Sequence, residues 1–162
     1  MAETYKNDLV EVFEDVKEAV RTTEGLSRAG LMLGLQELGS SPHGFVGGYY
    51  MTYSNLIVLN KTSLTRIMET NPQLLKPYAF HVLLHEYIHS LGFFDEETAR
   101  RLTYEVSMRT FGENHTVTEM ARDIRKYFPN LVHPSIDFRP AGAPPIEAVE
   151  GFDKSSYRQY IT

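Results

Sequence analysis

The stretch "HEYIHSLGFFDEE", residues 85–97, holds the residue types best suited to chemistry in this chain. His85 and His89 stand four apart, with Glu86 next to the first. On a helix that separation is about 40° of rotation and one turn of rise, so both imidazoles project from one face. Two imidazoles placed this way can hold one tetrahedral Zn²⁺ at about 2.0–2.1 Å each. Glu86 is turned about 100° from His85, onto the flank of the pair. A carboxylate there faces water on the ion rather than the ion itself, which is the position of a general base. H-E-x-x-H therefore carries two ligands and a base on one turn of helix.

A third ligand must come from elsewhere, and the chain holds no cysteine to supply it. Asp95 falls six residues after His89, a spacing at which a chain reversing at Gly92 reaches the same ion. Glycine permits that reversal because it accepts positive φ without steric cost. Asp95 is the ligand expected on this ground. Aspartate is also among the best N-caps, and if Asp95 only caps the next helix a glutamate must complete the site. Glu96 and Glu97 have little chain in which to swing round, whereas Glu105 lies about 15 Å along that helix and would need antiparallel packing to return. His81 adds a third histidine at four-residue spacing, about 6 Å further along the axis from His85, and reads as a satisfied core histidine. His115 and His133 are distant in sequence; either could be brought to the cleft to stabilise a tetrahedral intermediate. His43, in a Gly-Pro turn, is expected to face solvent.

The element that must position the motif is a helix over about 77–91, apolar on most sides through Phe80, Val82, Leu83, Leu84 and Ile88, and hence buried. Pro77 suits its first position and Gly92 its C-terminal stop. A helix of about 96–110 follows, then one of about 116–128. Upstream, Leu9, Val12, Phe13, Val16 and Val20 recur at helical spacing over about 4–22. "LSRAGLMLGLQELG" reads as a second helix interrupted by Gly30 and Gly34. The Gly- and Tyr-rich stretch after it reads as a hairpin, strands near 45–52 and 56–60 about a turn at Tyr53-Ser54-Asn55, with a short helix at about 62–69 capped by Thr62 or Asn60. "LIVL" is a continuous apolar run, so the second strand is expected to be covered on both faces. Residues 135–162 hold three prolines after the His133-Pro134 step and no periodicity. They read as an extended tail behind a single domain of residues 1–134. Phe138, Ile146, Phe152 and Tyr157 are the side chains able to dock that tail, even across the cleft.

With 162 residues and 42% hydrophobic content the chain suits one globular core. A net charge of −5 and the lack of a basic stretch argue against a nucleic-acid partner. No window approaches the roughly 20 apolar residues needed to span a bilayer, and the charged N-terminus has no apolar h-region. With no cysteine for disulfides, the expectation is a cytoplasmic protein without a membrane partner.

"HEYIHSLGFFD" resembles the extended H-E-x-x-H-x-x-G-x-x-D pattern of the metzincin branch of the zincin metallopeptidases. "NLIVLN" resembles the zincin strand that lies beside the active-site helix at the sheet edge and binds extended substrate. The resemblance covers about residues 45–110. It implies an α+β zincin-like domain, a small mixed or antiparallel sheet on the active-site helix, acting as a zinc metallopeptidase on a peptide or protein substrate. Zn²⁺ would be held by His85, His89 and Asp95, with Glu86 as general base. The gluzincin arrangement, a glutamate on the following helix, is the alternative for the third ligand. The alternative function is a zincin-fold regulatory or binding protein with a structural or weakly active metal site.

Overall fold

The computed structural model describes residues 5–153. Its architecture is α+β: five α-helices around a small mixed sheet. Helix α1 (Tyr5–Glu24) buries Leu9, Val12, Phe13, Val16 and Val20, the periodic face expected of it. The next apolar stretch is a strand, β1 (Met32–Gln36), where a helix was expected. Leu31, Leu33 and Leu35, all buried, alternate at the period of two that a strand requires. Gly34, read as a helix weakener, instead admits a neighbour: a Cβ there would lie 2.3 Å from Ile146 Cγ2.

The hairpin forms about the expected turn. Strands β3 (Gly48–Tyr50) and β4 (Leu56–Asn60) pair antiparallel, with Tyr50 opposite Ile57. A two-residue strand, β2 (Phe45–Val46), precedes them. β4 also pairs parallel with β1, so Ile57, Val58 and Leu59 are interior and fully buried. The sheet edge beside the motif helix is therefore β3, not the "NLIVLN" strand. Helix α2 (Lys61–Thr70) starts at Asn60, whose side chain accepts from the Thr62 N–H.

A 3₁₀ turn at Pro72–Leu74 leads into α3 (Leu75–Ser90), the motif helix. α3 begins two residues earlier than expected, leaving Pro77 in its first turn, where the N–H has no intrahelical partner to lose. All but two of its residues are buried, and it contacts α1, β3, β4, α4 (Glu96–Phe111) and α5 (Thr116–Arg122). That central position explains its all-round apolarity. α5 is shorter than expected because a 3₁₀ turn at Ile124–Lys126 interrupts it.

After residue 134, where a boundary between domain and tail was expected, the chain returns to the same core. Just before that residue β5 (Leu131–Val132) pairs parallel with β2; beyond it β6 (Glu147–Val149) pairs antiparallel with β1 to complete the order β3-β4-β1-β6. Phe138 packs edge-on against Tyr49, and Phe152 stacks on Phe13 with ring centroids 4.0 Å apart. Ile146 sits over Gly34, while Tyr157 lies outside the described residues. No helix among the described residues is long and apolar enough to cross a membrane.

Candidate metal centre

His85, Glu86 and His89 are buried on α3, at 1%, 3% and 4% exposure. Such groups are costly in a core unless they are satisfied. α3 stops at Gly92, whose φ of 108° is the reversal expected of a glycine there. The same reversal orients His89. Its Nδ1 donates to the Phe93 carbonyl at 2.8 Å, which turns its Nε2 toward Glu96.

Asp95 and Glu96 then part ways. The Asp95 carboxylate is turned along α4, accepting from the Thr98 N–H at 2.9 Å and from its hydroxyl at 2.8 Å. These bonds hold its pKa below the usual carboxylate range. Asp95 is the helix cap and lies outside the histidine group. Glu96, the first residue of α4, reaches back instead: its Oε1 lies 3.2 Å from His85 Nε2 and 3.1 Å from His89 Nε2. Burial raises the Glu96 pKa, but the bonds to His85 and His89 outweigh it and hold the carboxyl well below its ordinary value. Arg100, one turn on, adds a bond to Glu96 Oε2 at 3.3 Å. Among the described residues Glu97 and Glu105 belong to no such group. Glu105 is carried about 13 Å down the helix from Glu96.

The donor set suits a metal ion. Ligand atoms at about 2.0–2.1 Å from a tetrahedral centre are separated by roughly 3.3–3.4 Å. The nitrogen-to-oxygen separations here approach that spacing, and all three ligand atoms lie within 4.8 Å of one another. Two imidazoles and a carboxylate are also a donor set that zinc takes in catalytic sites.

Glu86 stands beside this group. Burial pushes its pKa up to about 7, against the opposing pull of His85 and His89 and a hydrogen bond from the Tyr50 backbone on β3. The edge strand thus touches Glu86 directly. His133, delivered by β5, stacks on His85 with ring centroids 4.2 Å apart and planes 15° apart. Burial, then the neighbouring His85, pushes the His133 pKa down to about 3. Beyond it Pro134, Ser135 and Ile136 pass over the group, and the space left among them, Tyr49, Tyr50 and the motif side chains is about 10 Å³. The Thr52 hydroxyl donates to the Ile136 carbonyl at 2.7 Å, tying that segment to the hairpin.

His81 is buried as expected, yet neither ring nitrogen has a hydrogen-bond partner among the described residues, so the expected satisfaction is missing. His115 is elsewhere: its Nδ1 accepts from the Val117 N–H to cap α5, and its ring stacks on Phe111. His43 is exposed.

Compared with known protein families, characterised proteins and solved structures, the chain matches none.

Proposed function

We propose that this protein is a zinc-dependent hydrolase of peptide bonds, with His85, His89 and Glu96 as the metal ligands and Glu86 as the general base. The observation that carries the reading is the convergence of both Nε2 atoms on one Glu96 carboxylate with a second, buried carboxylate alongside. A glutamate from the following helix resembles the gluzincin arrangement rather than the Asp-ended metzincin one. Bound there, zinc would polarise a carbonyl and lower the pKa of water toward about 7.

The chain's own residues supply the rest. Glu86, with its pKa pushed up to about 7, is poised to take a proton from the attacking water and return it to the leaving amine. His89 is held in one tautomer by Phe93. β3 is the end strand of the sheet, the kind of edge to which an extended peptide adds, with its Tyr50 backbone already bonded to Glu86. A space of about 10 Å³ admits one water or an ion but no peptide, so Pro134–Ile136 must move aside for turnover.

That cover favours a second reading, a metal site kept for binding or regulation. Incubating the zinc-loaded protein with a panel of unfolded proteins separates the two. The peptidase reading expects cleavage that falls by about 10²–10⁴-fold in Glu86→Gln while zinc content holds. One zinc per chain without cleavage of any substrate supports the second reading. Wild-type turnover in Glu86→Gln removes Glu86 from the mechanism.

A further inference from the structure

Next to the metal group, on the side of α4 and α5, lies a cavity of about 290 Å³. His85 and His133 form the wall it shares with the group, so anything seated in it touches the reacting region. Its charge is lopsided. Arg100, Arg122 and Arg125 line it against one carboxylate, Asp123, in a chain whose net charge is −5.

That carboxylate is already engaged, accepting from the Arg125 backbone N–H at 3.2 Å. Arg122 donates to the Glu113 carbonyl and lies over the Tyr104 ring; the Glu119 carboxylate feels its charge, with no direct ion pair among the described residues. The Arg125 guanidinium likewise has no ion pair there. Both side chains are exposed at the cavity, within reach of a ligand. His81 forms part of the inner wall. It is 3% exposed with both ring nitrogens unpartnered and sealed from the cavity, so the cationic rim alone offers a ligand its polar contacts.

We propose that this cavity is a specificity pocket for a carboxylate group of the substrate, carried next to the bond to be cut. The inference rests on the hydrolase reading for its purpose, not for its binding chemistry. A guanidinium presents a planar fork that matches a carboxylate in two parallel hydrogen bonds, and two guanidiniums free of direct ion pairs among the described residues are suited to it. The carboxylate is either an acidic side chain or a peptide C-terminus.

Calorimetric titration of the zinc-free protein tests this without any turnover. The probes are N-acetyl-glutamate amide, with a side-chain carboxylate, N-acetyl-glycylglycine, with a terminal one, and N-acetyl-glutamine amide as the neutral isostere. At least one carboxylate probe should bind saturably, more weakly as salt rises, and about tenfold or more weakly to the Arg122→Gln/Arg125→Gln double variant. Which carboxylate probe binds identifies the source. Equal binding of the neutral isostere, no binding of either carboxylate, or unchanged affinity in a folded double variant overturns the proposal. Zinc is then added to separate portions of the same preparations and its uptake measured. Carboxylate binding without zinc uptake leaves the pocket standing and removes the hydrolase reading; zinc uptake without carboxylate binding does the reverse.

Discussion

At the residue scale, the site turns on which of two adjacent carboxylates points along α4 and which points back. Asp95 at the cap satisfies the Thr98 N–H, and that bond fixes the start of the helix. With the start fixed, Glu96 becomes the first helical residue and its side chain is free to reach His85 and His89. Asp95→Ala should therefore lower the thermal midpoint through loss of the cap while leaving zinc affinity near wild type. Loss of zinc with an intact thermal midpoint would restore Asp95 as a ligand. The histidine pair and Glu86 were legible because a helix makes a four-residue separation a spatial statement. The approach of Glu96 to the histidines was not, because spacing alone cannot separate neighbours whose directions are set by a cap bond. Asp95 followed three residues later by Thr98 was the available signal.

At the element scale, the edge strand β3 bonds Glu86 through the Tyr50 backbone and depends on a close approach. A Cβ at Gly48 would lie 2.7 Å from the Val58 carbonyl oxygen and 3.2 Å from Val82 Cγ1 on α3. Gly48→Ala should push β3 off the sheet and the helix, at about 1–3 kcal/mol by analogy with overpacked cores. It should also slow turnover with zinc retained, since Tyr50 then loses its bond to Glu86. Denaturant midpoints and metal analysis check both parts, and wild-type values for both would mean β3 does not position the base. The long helices and the hairpin turn were readable from periodicity and turn residues. β1 was not, because Leu31, Leu33 and Leu35 are embedded in further apolar residues that mask the alternation. Gly34 misled in the same place: it is there for the approach of Ile146, more than a hundred residues away in sequence.

At the scale of the whole molecule, the segment after residue 134 closes the sheet and covers the cleft. No periodicity announces it, because its contacts are long-range: β6 on β1, Phe152 on Phe13, and Asp153 bonded to Lys17 at 2.6 Å and to the Leu31 N–H. Phe152 is 3% exposed, so Phe152→Ala should cost about 3–5 kcal/mol, read from chemical denaturation. A stability unchanged by that substitution would mean the segment is not part of the core. Freeing the cover without unfolding the core calls for a smaller change. Thr52→Val removes the hydroxyl bonded to Ile136, and it should raise the rate of substrate entry while leaving zinc content alone. The claim on which all of this stands is the ligand set, and metal analysis with zinc affinity on Glu96→Gln beside Asp95→Asn tests it most directly. The account predicts about one zinc per chain in the wild type, near-normal affinity in Asp95→Asn and most of the metal lost in Glu96→Gln. Full zinc occupancy in Glu96→Gln, or no zinc bound by the wild type, would contradict it.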